Sequence, residues 1–367
     1  MSALFLGLIS GTSADGIDAA LVRFDPGIEV IATETVAYPP DIRRRLLALT
    51  AADASISLDE FGALDVAVGE CFADAALQLL GKTGVSPAAI SAIGSHGQTV
   101  RHRPDGRYPF SLQIGDASVI AERTGICTIA DFRRGDVAAG GQGAPLAPAF
   151  HAAAFSTLMP CALLNLGGIA NLSLLTNEQD ILGFDTGPAN CLLDAWNARH
   201  IGTPCDINGV WASSGRVNTD LLRELLDDPY FDATPPKSTG REVFNLDWLD
   251  VRLEHHALSA VDVQATLLLL STRSVANALK QSGSPAQHVL ACGGGVHNTA
   301  LMASLAAELH PVSLASTSSV GVDPDFVEAA LFAWLAWQRL EGKPGNLPGV
   351  TGARGLRVLG AVHAGRD

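Results

Sequence analysis

What the sequence lacks narrows the field first. Its six cysteines (Cys71, Cys127, Cys161, Cys191, Cys205, Cys292) form no CxxC pair and none is closely spaced with histidine, which argues against a structural metal site and fits a reducing compartment. Basic residues are scarce: 24 Lys and Arg stand against 38 Asp and Glu, a formal net charge of -14. Nucleic acid and acidic membrane surfaces need a field of the opposite sign and are not expected as partners. The opening Met1-Ser2-Ala3-Leu4 has no basic region, and the apolar run breaks at Ser10-Gly11-Thr12, too short for a signal peptide; a cytoplasmic location is expected. Residues 137 to 177 carry no Asp, Glu, Lys or Arg, but Gly140, Gly141, Gly143, Pro145, Pro148, Pro160, Asn165 and Asn171 interrupt them. No run of about 20 apolar residues survives to span a membrane, so the stretch reads as buried core and cleft lining.

What is present suits a large folded core. Of 367 residues, 47% are hydrophobic and 17% charged, enough for two lobes. Leu4 to Ile9 reads as a strand, SGTSADG as a turn, Ile17 to Phe24 as the returning strand and Ile28 to Ala37 as a third. Helical spacing follows near 41 to 51 and 58 to 81, then a strand at Ile90 to Ile93 that runs into a loop, GSHGQTV. The second half opens the same way: strand Ala162 to Leu166, turn GGIAN, strand Leu172 to Leu175, strand Ile181 to Phe184, loop DTGPAN and a helix from Cys191. A long helix near 260 to 281, a strand at His288 to Cys292 and GGGVHN complete it. Strands alternating with helices give an α/β class, and the repeated opening suggests a duplicated architecture with an interlobe cleft. The expected lobes are 1–131, to which the tail 345–367 returns, and 132–344, with a helix near 323 to 341 crossing back before the tail.

Three glycine-rich turns sit at strand ends. GTSADGID (Gly11, Thr12, Ser13, Ala14, Asp15, Gly16, Ile17, Asp18) can form an anion nest, with Asp15 and Asp18 in the outer shell of a magnesium ion; the plainer reading is an ordinary hairpin turn. FDTGPAN sets Asp185 at a strand end ahead of Gly187, where a carboxylate points into a cleft or, more plainly, caps a helix. CGGGVHN, with Gly293, Gly294, Gly295 and Asn298, lets a nucleotide approach the backbone or serves close strand–helix packing. It matches neither GxxxxGK[ST] nor GxGxxG, which excludes two common nucleotide folds. Together with Gly168 in the GGIAN turn, the loops point to a bound nucleotide.

Polar clusters suit a polyhydroxylated ligand. GSHGQTVRHRP offers His96, Gln98 and Thr99, with His102 and Arg103 read as solvated. DFRRGD offers Arg133 as a fork for a carboxylate, with one of the two arginines expected to pair with Asp131 or Asp136. KSTGREVFN adds Lys237, Ser238, Thr239 and Arg241, and Glu328 lies beside the apolar stripe Val327, Ala330, Leu331, Trp334, Leu335.

The ordered strings SGTSADGID, SHGQTVRH, DFRRGDVAAGGQGAPLAPAFH, NLGGIANLS, FDTGPAN, KSTGREVFN, ACGGGVHN and LPGVTGA resemble the anhydro-N-acetylmuramic acid kinase family over essentially the whole chain, with Ile9 and Ala14 standing where Met and Leu are usual. The resemblance implies a two-lobed actin/hexokinase-like (ribonuclease H-like) fold binding ATP and Mg2+, a small-molecule substrate, 1,6-anhydro-N-acetylmuramic acid, and an assembly that admits a homodimer. It implies hydrolytic opening of the anhydro bridge with phosphorylation of O6. Asp185 would be the general base and Arg133 the grip on the lactyl carboxylate, while His96, Gln98, Thr99, Asp136 and Glu328 would be contacts to the sugar. A kinase of another sugar and a non-kinase actin-like ATPase module are the alternatives. A sugar-sensing repressor would need a basic DNA-binding segment, and none precedes Leu4.

Overall fold

A computed structural model of the chain describes residues 3–11, 13–25, 27–50, 54–177, 180–235 and 237–366. It divides into two compact units, Met1–Ala154 with Phe326–Asp367, and Phe155–Asp325. The first is built on β1 (Leu4–Ser10), β2 (Gly16–Arg23), β3 (Glu29–Ala37), β4 (Ile90–Arg103), β5 (Phe110–Ile114) and β6 (Thr128–Ala130). Its sheet runs β6-β4-β1-β2-β3, extended past β6 by the short strand Ala361–His363, with β5 paired to the far end of β4. β1, β2 and β3 form an antiparallel meander, and β4 lies parallel to β1. The sequence dictates these places: β1 is apolar and buried along almost its whole length, as a central strand covered on both faces must be, whereas the outermost strand β3 alternates in exposure.

The second unit repeats the plan with β7 (Cys161–Leu166), β8 (Ile169–Asn177), β9 (Asp180–Pro188), β10 (His288–Cys292) and β11 (Ser313–Ser316), in the order β11-β10-β7-β8-β9. Again the first three strands are antiparallel and the fourth is parallel to the first. Each unit thus shares a core of five strands in the order 5-4-1-2-3, to which the first adds two, and this bears out the expected α/β duplication of the ribonuclease H-like, actin/hexokinase type.

Helices cover these sheets. Leu58–Thr83 begins at Ser57, whose hydroxyl accepts from the Glu60 N–H, and ends on Gly84 at φ 68. Ala260–Gln281 supplies Leu267, Leu270 and Val275 to the core of the second unit. Val327–Leu340 lies across β1 and β4, and each of its fully buried Leu and Phe side chains contributes about 1.5–3 kcal/mol. Two glycines permit that approach: a Cβ on Gly7 would lie 1.8 Å from the Ala329 carbonyl oxygen, and one on Gly94 1.9 Å from that of Phe332. Among the described residues, no helix is long and apolar enough to cross a membrane.

Two features differ from the sequence reading. The units divide at 154/155 and 325/326 rather than at 131/132 and 344/345, because Phe132 packs on Phe332 at 5.7 Å and Phe150 on Trp334 at 6.0 Å, keeping 132–154 and the late helix with the first sheet. Strand β4 also continues through the segment expected to be a loop, so His102 and Arg103 are strand residues, with His102 Nδ1 2.9 Å from Ser111 Oγ on β5.

The glycine contacts predict that Gly94→Ala destabilises the protein by at least about 3 kcal/mol, since the added methyl meets backbone rather than a yielding side chain. Thermal unfolding should show a drop on the order of 10 °C. Gly62→Ala, whose added methyl would meet nothing within 4 Å, should not lower the midpoint.

Candidate functional site

In the second unit the chemistry gathers around Asp185. Asn171 on β8 stands opposite Asp185 on β9, and the next matched pair is Ala170 with Gly187, so Thr186 is an extra residue in the ladder. The Asn171 side-chain amide donates to Asp185 Oδ1 at 2.8 Å and the Thr239 backbone N–H donates to Oδ2 at 3.0 Å. The Asp185 N–H donates to the Lys237 carbonyl at 3.1 Å, and the Tyr230 hydroxyl donates to the Asp185 carbonyl at 2.7 Å. Lys237 Nζ donates to the carbonyls of Tyr230 and Phe231 at 3.0 and 3.2 Å and lies 4.8 Å over the Tyr230 ring. The loop that carries Thr239 is therefore stapled in place from both ends of Lys237. Burial pushes the Asp185 carboxyl above its ordinary value, the donors Asn171 and Thr239 pull it back, and Glu242 adds to the rise. Asp185 caps no helix; the helix Asn190–His200 starts after Ala189. A fixed, half-buried carboxylate with raised proton affinity is suited to draw a proton from a bound water or hydroxyl.

The glycine turns of this unit have separate tasks. The carbonyls of Gly167 and Gly168 accept from the backbone N–H groups of Asn190 at 3.1 Å, and of Ala189 and Cys191 at 3.0 Å each, which ties the β7–β8 turn to the helix that follows β9. The Arg241 guanidinium lies over Gly168, 2.9 Å from where a Cβ would stand. Gly187 makes room for the Phe231 ring, and Gly293 and Gly295 for Asn165 and Leu166; only Gly294 of the triplet faces open space. Asn298 caps the helix Thr299–Leu309, its side chain accepting from the Leu301 N–H at 3.0 Å.

The first unit holds the other predicted residues. In the β1–β2 turn, Asp15 is exposed and paired with Arg43 at 2.7 Å, and Arg43 Nε donates to the Ala14 carbonyl at 3.1 Å. Ala14 and Ile17 bury their side chains in the core, so only their backbone atoms are left for a ligand, and Thr12 lies outside the described residues. Gly11 is exposed, Ser13 and Gly16 are half-buried, and Asp18 Oδ1 accepts from the Thr35 hydroxyl at 2.6 Å. Among the described residues no group of three or more His, Cys, Asp and Glu could hold a metal ion.

Arg133 and His96 form a pair: Arg133 Nε donates to His96 Nε2 at 2.9 Å and Nη1 donates to the Gly143 carbonyl at 2.8 Å. Accepting that bond requires neutral imidazole, and burial together with the Arg133 charge holds His96 well below its ordinary pKa. Arg133 is in turn attracted by the carboxylates of Glu328 and Asp136, while Arg134 takes the structural role with Asp131 at 3.3 Å. Three residues expected at the sugar make internal bonds instead. Asp136 is fully buried, Oδ1 accepting from Asn346 and Thr351 at 2.7 Å each and Oδ2 from the Gly143 N–H at 2.8 Å. Gln98, 1% exposed, is bound to Ser10 and Gly11, and Thr99 accepts from Gln113 at 3.0 Å. The sequence reading missed Asn171 and Tyr230 as partners of Asp185; Asn171 lies inside the flagged string NLGGIANLS, but its pairing across β8 and β9 is a matter of register.

The profile of the anhydro-N-acetylmuramic acid kinase family matches residues 3–365. A protein of Xylella fastidiosa named anhydro-N-acetylmuramic acid kinase is 55% identical over 365 residues, 98% of this chain and 96% of that one. One of the same name from Coxiella burnetii is 50% identical over 364 residues, covering 98% and 97%. Among solved structures, the activator of the 2-hydroxyisocaproyl-CoA dehydratase from Clostridium difficile with bound ADPNP is 14% identical, covers 93% of this chain and 96% of its own, and has a TM-score of 0.47. Matched by the family profile almost end to end and at least half identical to relatives along nearly their full length, the chain belongs to the anhydro-N-acetylmuramic acid kinase family and is a kinase.

Proposed function

We propose that the chain transfers the γ-phosphoryl group of ATP to O6 of 1,6-anhydro-N-acetylmuramic acid while water opens the anhydro bridge, with Asp185 as the base for that water. The observation that carries this reading is the Asp185 carboxylate, oriented by Asn171 and the Thr239 N–H and given a raised affinity for protons by burial. Water adds to the anomeric carbon, its proton passes to Asp185, the C1–O6 bond breaks toward O6, and O6 attacks the γ-phosphorus as ADP leaves. The proton on Asp185 is then released to solvent. Positioning and electrostatic balance supply most of the rate in such a transfer.

The backbone donors of residues 11 to 18 are those we assign to the nucleotide. Magnesium takes one or two carboxylates along with phosphate oxygens and waters, and Asp15 and Asp18, both through water, are the pair we assign; when bound, the ion would neutralise charge on the phosphates. Arg133, with Nε and Nη1 engaged, keeps Nη2 for the lactyl carboxylate of the sugar, beside His96 and the Glu328 carboxylate. The reaction is placed in the cytosol, where ATP is made.

Three outcomes test this. Asp185→Asn should bind ATP and sugar normally yet turn over about 10²–10⁴ times more slowly; near-normal turnover removes Asp185 from its role. Product analysis in ¹⁸O-water should place the label at the anomeric oxygen and phosphate on O6. Asn171→Ala removes a donor that favours the charged carboxylate, so the acid limb of the kcat/KM profile should move to higher pH by roughly one unit or less. Stability carries its own sign: because the folded Asp185 pKa lies above its ordinary 3.8, its contribution is full below that value and is lost as pH rises through the folded pKa. The melting temperature of Asp185→Asn should accordingly fall less than that of the parent over that rise.

A further inference from the structure

Gln98 is too deeply placed and too fully bonded to touch a sugar, and its bonds lead elsewhere. Between β1 and β4, Leu8 is matched with Ser95 and Ser10 with Gln98, so β4 carries one more residue than β1 over this stretch. Gly97 accommodates the extra residue at φ 73, where a Cβ would lie 2.5 Å from the Ile114 carbonyl oxygen. The displaced ladder lays Gln98 across the end of β1. Its Oε1 accepts from the Ser10 hydroxyl at 2.6 Å, and its Nε2 donates to the Gly11 carbonyl at 3.1 Å and the Thr99 carbonyl at 3.3 Å. Ser10 is 2% exposed and Gln98 1%. Polar groups so buried are costly unless bonded, and here the bonds converge on the first residue of the β1–β2 turn. From the other side, Arg43 holds the Ala14 carbonyl and Asp15.

We infer that Gln98 is a positioning residue for the nucleotide: with Ser10 it fixes the Gly11 peptide from beneath, so that the turn after β1 presents its donors to the phosphates of ATP in one orientation. The inference rests on the assignment of the Gly11–Asp18 turn to ATP. It moves Gln98 from the sugar to the other substrate without any direct contact to either, and it gives the extra residue in β4 a purpose.

The test compares Gln98→Ala and Gln98→Glu with Asp18→Asn, measuring ATP affinity by titration without sugar and KM for both substrates at steady state. Glutamate keeps the size of glutamine but sets an acceptor against the Gly11 carbonyl, so a loss shared by both variants is a loss of that bond. Each should weaken ATP binding and raise the KM for ATP by roughly tenfold, the effect of losing about one well-formed buried bond, while the KM for the anhydro sugar stays within about twofold. If Gln98→Ala does not fold, Ser10→Ala removes a bond to the same amide and should move the same constant. A raised sugar KM with intact ATP affinity would mean that Gln98 serves the sugar and overturns the inference. If only Asp18→Asn weakens ATP binding, the inference falls and the assignment of the turn stands. If none of the variants does, the turn does not hold the nucleotide and both fall.

Discussion

A carboxylate held in half-buried surroundings by one side-chain amide and one peptide N–H is the constraint around which the second unit is arranged. Strand pairing brings Asn171 beside Asp185, but Thr239 arrives from 54 residues away and must be held there. Lys237 and Tyr230 do so, one by grasping two carbonyls, the other by bonding the backbone of Asp185 itself. Together they determine how readily one oxygen gives up or takes a proton, which is why polar networks of this kind act as units.

The first unit solves a different problem, how to hold a buried cation in one orientation in a protein of net charge -14. Its solution is a neutral histidine. Because His96 accepts from Arg133, the guanidinium is oriented without being neutralised by an acid at that edge, and the depressed His96 pKa keeps the ring an acceptor through the physiological range. Asp136, lying beneath, spans the segment 131–143 and the terminal Asn346 and Thr351, so the end of the chain is tied to the element that carries Arg133.

Much of this was legible in the residues. The apolar run of β1, the repeated hairpin opening and the long helices follow from hydrophobic spacing, and the ordered strings around Asp185, Arg133 and the glycine turns carried the family resemblance. Less legible was the use to which each polar residue is put. Gln98 and Asp136 drew attention as donors and acceptors in glycine-rich surroundings, but a polar side chain in apolar company reads the same whether its partner is a ligand or the backbone beside it. The unit boundary was hidden for a related reason: aromatic contacts such as Phe132 with Phe332 join segments 200 residues apart, and no local composition announces them. The Thr239 contact to Asp185 likewise depends on where a loop returns.

Both sheets carry a spare residue in one strand of a pair, between Ser95 and Gln98 in one and between Asp185 and Gly187 in the other. A strand obeys a strict two-step rhythm, so the positions that feed the core also dictate which way every later side chain faces. An inserted residue resets that rhythm. Upstream, the strand remains free to satisfy packing; downstream, its side chains are released to a new phase, and selection on chemistry no longer has to negotiate with selection on the interior.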